Sequence, residues 1–259
     1  MTELIPFPML TSKEQLRYSR HLLLSDIGEA GQLKLKSATV LIVGLGGLGS
    51  PAAQYLTAAG VGKLLLADGD SLDSSNLQRQ VLYRTEQVGE LKAELALEQL
   101  ESLNDEVQLE AIAEALNEES LATYLPEVDL VLDCTDNFET RHAINRACHH
   151  YGVGLISAAA IRFEGQLASF NHRQQDSASP CYHCLYPETG ESPTLNCSNS
   201  GVVGPLLGIL GSMQALEAVK WLLEMPVPSL NRLRLFDAKT LEWQNFAISK
   251  DPNCPVCAK

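Results

Sequence analysis

The segment from Ala38 to Ala59 constrains this chain more than any other. Ala38 to Val43 (ATVLIV) is a short, largely β-branched apolar run ending at Gly44, and Gly44-Leu-Gly46-Gly47-Leu-Gly49 follows it. Gly47 to Ala59 then carries small residues with Leu48, Tyr55 and Leu56 on a helical pattern. A buried strand, a glycine turn and a helix in that order match G-x-G-x-x-G, in which glycines permit a tight turn and let N–H groups at a helix start approach phosphate. Nucleotide binding is the expectation. The alternative is a glycine turn that serves only close helix–strand packing. A ribose-binding acid is expected about 20 residues further on; Asp68 ends the next strand, Lys63 to Ala67, with Asp70 as the second candidate.

The same grammar repeats downstream. A helix is expected at about 90–103, a strand near Val107 to Ile112, a short helix after Asn117, a strand Val128 to Leu132, a helix Glu139 to Tyr151 and a strand Leu155 to Ala158. Alternation of this kind implies parallel strands with crossover helices, hence a Rossmann-like, doubly wound α/β sheet. Beyond residue 160 the pattern changes. Gln166 to Asn171 reads as a strand, 172–203 as a polar loop bearing Pro and Cys, 204–224 as a long helix, and 232–248 as two antiparallel strands joined around Asp237 to Thr240. The sheet is therefore mostly parallel and extended by antiparallel strands. Ahead of it, Ser12-Lys-Glu-Gln15 has the form of a capping box, and Leu16, Leu22 and Leu23 suggest an amphipathic helix over 12–25. The chain reads as a single unit over 1–259, with N-terminal helices at 12–36 and halves at 38–160 and 161–259.

Composition narrows the function. The 259 residues are 45% hydrophobic, enough for one substantial core, and 19 Lys+Arg against 32 Asp+Glu give a net charge of −13. Such a field repels polyanions, so nucleic acid is not an expected partner. Met1 to Leu10 lacks the pattern of a secretory signal, and Gly201 to Leu223, the most apolar stretch, contains Gln214, Glu217 and Lys220. A cytoplasmic protein without a membrane span is expected.

An anion must then be held locally. Ser74-Ser-Asn76-Leu-Gln-Arg79-Gln80 and Lys92 supply cations near the glycine loop, as a triphosphate would require and nicotinamide chemistry would not. Alternatively both cations are solvated surface charges. Asp133-Cys-Thr-Asp136-Asn137 follows a strand, where ligands bind in open α/β sheets. Asp136 could hold Mg²⁺, or Asp136 or Asn137 could cap the following helix.

Cys181-Tyr-His-Cys184 and Cys254-Pro-Val-Cys257 have the spacing of two halves of a closed Cys₄ site for structural Zn²⁺. Redox pairs are the competing reading. His183 is expected to be exposed. Cys197 lies alone in the loop, either a nucleophile or an idle side chain. Cys134 and Cys148 read as core, and His142, His149 and His150 as surface or core.

Arg17-Tyr-Ser-Arg20, Gly44 to Gly49, Asp68, Ser75-Asn-Leu-Gln-Arg79-Gln80, Lys92, Asp133 to Asn137 and the two Cys pairs, in this order, resemble the MoeB/ThiF family, relatives of the ubiquitin-activating enzymes. The resemblance spans about 14–257. It implies an ATP-dependent adenylyltransferase that converts the C-terminal Gly-Gly carboxylate of a ubiquitin-like sulfur-carrier protein to an acyl adenylate. It also implies Gly44, Gly46, Gly47 and Gly49 against the nucleotide and Asp68 on the ribose. Asn76 and Arg79 fall near the triphosphate, Lys92 on the phosphates and Asp136 on Mg²⁺, with Ser75, Leu77, Gln78 and Asn137 also implied in cofactor binding. The arginine matching Arg20 reaches a partner subunit's active site in the family, so a homodimer is implied. The 161–259 half would bind the carrier and be stapled by zinc. Asn196-Cys197, Gly201 to Pro205 and Leu233 to Asp237 look like the thiamine-pathway side, whose matching cysteine links covalently to the carrier, whereas Ala159 to Gln166 looks like the molybdopterin side. The thiamine side is the expectation, with sulfur arriving from a separate donor protein. Two other classes compete: a nicotinamide-dependent oxidoreductase and a zinc-stapled binding module without chemistry.

Overall fold

The computed structural model describes residues 9–173, 179–188 and 201–258. Its centre is β1 (Thr39–Val43), whose run of apolar residues is buried on both faces, as a strand in the middle of a parallel sheet must be. β1 pairs in parallel with β2 (Lys63–Ala67) on one side and β4 (Leu130–Asp133) on the other. β3 (Gln108–Ile112) continues the sheet beyond β2, and β5 (Gly154–Ile161) continues it beyond β4. After β5 the direction alternates: β6 (Glu164–Phe170), β7 (Arg232–Asp237) and β8 (Glu242–Ala247) are antiparallel. All eight form one sheet in the order β3-β2-β1-β4-β5-β6-β7-β8. The doubly wound, mostly parallel sheet with an antiparallel extension is thus the observed fold.

Alternation along β1 divides the core. Val40 and Ile42 face a layer with Leu64, Leu66, Leu130 and Leu132, covered by α4 (Gly49–Ala59), α5 (Lys92–Leu103) and α9 (Gly204–Leu222). Leu41 and Val43 face the opposite layer with Leu65 and Val131, covered by α6 (Glu118–Tyr124) and α7 (Phe138–Tyr151). Burial of each such aliphatic side chain contributes about 1.5–3 kcal/mol. The strand order reverses between β1 and β4, which opens a crevice at their C-terminal ends.

The N-terminal segment departs from its expected form. The helix cap is Thr11, one residue earlier than the sequence suggests: its hydroxyl accepts from the Glu14 N–H, and the Glu14 carboxylate accepts from the Thr11 N–H. Lys36 reaches the same Glu14 carboxylate at 2.7 Å. The expected helix over 12–25 is two pieces, α1 (Ser12–Arg17) and α2 (Ser19–Leu22), followed by α3 (Gly28–Ser37). The break falls at Tyr18, whose buried ring anchors the segment and whose hydroxyl accepts from Asn104. Leu16 and Leu23 point to solvent, so the buried side of this segment is Glu14 and Tyr18, not the leucines.

Two short features hold the antiparallel half. The β5–β6 turn places Arg162 at φ +53°, and its backbone bonds to Gly201 and Val203. A helical turn, α8 (Tyr182–Leu185), interrupts what the sequence reads as one long loop. Cys197 lies outside the described residues. Among the described residues no helix is long and apolar enough to cross a membrane.

Candidate active site

The crevice at the ends of β1, β2 and β4 is walled by the glycine loop. Gly44 sits at φ +90°, where a side chain would be strained, and its N–H donates to the Ala67 carbonyl. A Cβ on Gly49 would lie 1.9 Å from the Gly44 carbonyl oxygen, so the start of α4 can turn back on the strand only without a side chain there. Leu45 fixes the loop from three directions. Its N–H donates to Asp68 at 2.8 Å, while its carbonyl accepts from the Ser50 and Tyr83 hydroxyls. The first N–H groups of a helix have no intrahelical acceptor, and Gly46, Gly47 and Leu48, just ahead of α4, line the crevice. That is an arrangement suited to an anion.

Asp68, at the end of β2, lines the same crevice, its second oxygen taking the Asp70 N–H at 2.9 Å. Burial pushes its pKa up, against the Lys92 charge and the two N–H donors, which favour the carboxylate. Lys92 opens α5 and is only 5% exposed, yet its ammonium reaches the crevice, where it donates to Asp70 at 2.9 Å. Arg79 lines the crevice as well; its guanidinium donates to the Ser75 carbonyl, and no carboxylate pairs with it among the described residues. Ser75, Asn76, Leu77 and Gln78 stand apart from the lining. A 3₁₀ turn at Ser74–Asn76, capped reciprocally by Asp73 and Asn76, carries them to the side.

The far wall is the loop after β4. Asn137 caps α7, its side chain accepting from the Thr140 N–H at 2.9 Å. That leaves Asp136 exposed at the crevice with no hydrogen bond or ion pair among the described residues, and its oxygens suit a hard divalent cation such as Mg²⁺. Behind it lies a buried polar network. Asp133, 1% exposed, accepts from Thr135 N–H, Thr135 hydroxyl and Ser157 hydroxyl. Arg141 reaches from α7 to the carbonyls of Thr135 and Ala158, and Gln214 from α9 to those of Asp133 and Ile156. Gln80 also lines the crevice, 4% exposed, with an Oε1 that no group among the described residues satisfies. Asp133, Arg141, Gln214 and Gln80 had no separate role in the sequence. Only the position of Arg141, one turn after the Asn137 cap, hints at it.

Arg20 is exposed on α2 and is not among the residues lining this crevice.

Away from the crevice, the sulfurs of Cys181, Cys184, Cys254 and Cys257 all lie within 4.8 Å of one another. Cys181 to Cys254 is 3.7 Å and Cys184 to Cys257 is 3.4 Å, far too long for disulfides. A tetrahedron with metal–sulfur bonds of about 2.3 Å has edges of about 3.8 Å, so the cluster fits a metal ion. Burial pushes the Cys181 thiol up to about 12, and Cys257 is raised as well, a balance that a divalent cation would reverse. His183 is buried rather than exposed: its turn folds inward, with Nδ1 3.7 Å from the Cys254 sulfur and its ring against His142. Cys134 and Cys148 are buried core residues.

A family model described as "ThiF family" matches residues 18–256. The chain belongs to the ThiF family. Among its relatives, the sulfur carrier protein ThiS adenylyltransferase of Escherichia coli K12 is 45% identical over 248 residues, which are 96% of this chain and 97% of that protein. The molybdopterin-synthase adenylyltransferase of Salmonella typhimurium LT2 is 41% identical, over 96% of this chain and 99% of its own. Among solved structures, E. coli MccB with MccA-N7isoASN superimposes with a TM-score of 0.82 at 24% identity, covering 96% of this ThiF-family chain and 76% of MccB. That likeness concerns the fold.

Proposed function

We propose that this ThiF-family chain is an ATP-dependent adenylyltransferase acting on the C-terminal Gly-Gly carboxylate of a ubiquitin-like sulfur-carrier protein. The observation that carries the proposal is the crevice itself, in which an open glycine loop, Asp68, Arg79 and Lys92 converge at the sheet's switch point with Asp136, and among the described residues neither Arg79 nor Asp136 has an ion-pair partner. The adenylyltransferase names of relatives at 41–45% identity over nearly the whole chain support it. They give no support to the nicotinamide alternative.

A carboxylate is already a nucleophile at neutral pH, so no base is needed. The protein's task is to align that carboxylate with the α-phosphorus of ATP and to neutralise the departing pyrophosphate. Asp68 would hold the ribose, and the N–H groups of Gly46 and Gly47 the phosphates. Arg79 and Lys92 would take up charge on the leaving group, with Lys92 exchanging Asp70 for phosphate. Mg²⁺, held at Asp136, would supply further neutralisation of the triphosphate. Arg20, exposed and outside its own crevice, would serve a second copy of the chain in a homodimer. The carrier is proposed to be of the thiamine-pathway (ThiS) type, with Cys197 as the covalent sulfur-transfer residue and a separate protein as sulfur donor. The molybdopterin (MoaD) type is the second reading, since relatives of both kinds lie within a few per cent identity of each other.

Carrier-dependent ATP–pyrophosphate exchange tests both. Exchange is expected with a ThiS-type carrier; exchange with a MoaD-type carrier alone would reverse the branch, and none with either would overturn the proposal. For the four thiols the proposed ion is Zn²⁺ in a closed, structural role. Chelation is then expected to lower the melting temperature, on the order of 5–10 °C, and to expose the 179–188 segment and the C-terminal tail to protease. An unchanged melt in demonstrably metal-free protein would count against a structural ion.

A further inference from the structure

Helix α7 links the two sites. Asn137, Arg141 and Asn145 follow one another at four-residue spacing and so lie along one face of it. Asn137 caps the helix at the crevice and Arg141 grips the Thr135 and Ala158 carbonyls one turn on. Asn145, a further turn on, is fully buried and has no part in the adenylation scheme. Its carboxamide is engaged at both ends: Oδ1 accepts the Tyr182 N–H at 2.9 Å, and Nδ2 points at the Cys181 sulfur at 3.6 Å.

Asparagine is a poor choice for a helix interior, because its side chain competes for backbone groups. A buried amide donor that points at sulfur gains little if that sulfur is a neutral thiol, a weak acceptor. Against a metal-bound thiolate the same bond is charge-assisted and stronger. A second donor, the Asp251 N–H, points at Cys184 sulfur at 3.4 Å. Donors of this kind orient metal ligands, and their loss commonly lowers metal affinity about 10- to 100-fold.

We infer that Asn145 is a positioning residue for the metal: it holds the Cys181 thiolate in its metal-bound geometry and fastens the cysteine cluster to α7, whose first turn borders the crevice. The inference rests on the reading of the four cysteines as a metal site.

The test begins with the metal content of the purified full-length protein, followed by zinc transfer to a chromogenic chelator. Asn145→Asp keeps an oxygen acceptor for Tyr182 but replaces the N–H donor with a carboxylate, whereas Asn145→Ala removes the donor without adding charge, so a rise in release common to both reports the lost bond to sulfur. Asn145→Ala removes both, and is read beside it in case either variant folds poorly. Asn104→Ala is the comparison, being another fully buried asparagine, bonded to Tyr18 and Thr57 far from the cluster. Both Asn145 variants are expected to release zinc at least about tenfold more readily, while Asn104→Ala lowers the melting temperature and leaves zinc release as in the parent. A parent protein that binds no metal would overturn the metal reading and this inference with it. A metal-loaded parent whose release is unchanged in Asn145→Asp would overturn the role of Asn145 alone.

Discussion

Arg79→Ala is expected to lower carrier-dependent ATP–pyrophosphate exchange about 10²- to 10³-fold, the cost of removing a donor aimed at charge that develops in the transition state. The structure makes this a clean experiment. The guanidinium lines the crevice, and among the described residues its hydrogen bond is to the Ser75 carbonyl in a capped, solvent-facing turn. Truncation therefore leaves no buried group unsatisfied, and the melting temperature should move by no more than about 2 °C. Arg79→Lys keeps the charge but not the planar fork, and should recover part of the rate. Exchange within a factor of three of the parent, in a folded Arg79→Ala protein, would remove Arg79 from the proposed mechanism.

Gly49→Ala is expected to be the most damaging single methyl in the glycine loop. The added carbon would sit 1.9 Å from the Gly44 carbonyl oxygen, a backbone atom in a residue already at φ +90° and bonded to β2. Neither side can yield without moving the end of β1 or the start of α4, at a cost of about 3 kcal/mol or more. Gly47→Ala provides the contrast. Its nearest neighbour would be the tip of Leu207 at 2.6 Å, a side chain that can rotate, so this variant should fold and show its defect in ATP affinity. Thermal melts and nucleotide titration of the two variants separate the effects. A Gly49→Ala protein that melts with the parent and binds ATP normally would show that the loop is not the rigid turn described.

Much of this was legible from local pattern, and the parts that were not share a cause. β1, the glycine loop and α4 are contiguous in sequence, so apolar runs and glycine spacing report them directly. The Cys pairs are likewise legible from spacing, although their convergence across 73 positions requires the fold. The Asp133 network escaped because its members come from β4, β5, α7 and α9 and meet only when parallel pairing sets Asp133 opposite Ser157. The N-terminal helix misled for a similar reason. Leu16 and Leu23 have helical spacing, but long-range partners decided which side faced inward: Lys36 for Glu14 and Asn104 for Tyr18. His183 was misplaced because a residue between two ligands looks peripheral until the turn closes.

The eight strands run without a break from β3 to β8, and the nucleotide side joins the antiparallel side through the continuous hydrogen bonding of β5 with β4 and β6. A seamless sheet offers no hinge. Closure by rotation of two lobes about a break in the sheet is therefore not expected, unlike in hinged nucleotide-using enzymes. For the proposed carrier, selectivity would then rest on how far its flexible end can thread across a fixed platform. Shortening that end by a single residue would leave the reactive group stranded short of its target, however well the body docks.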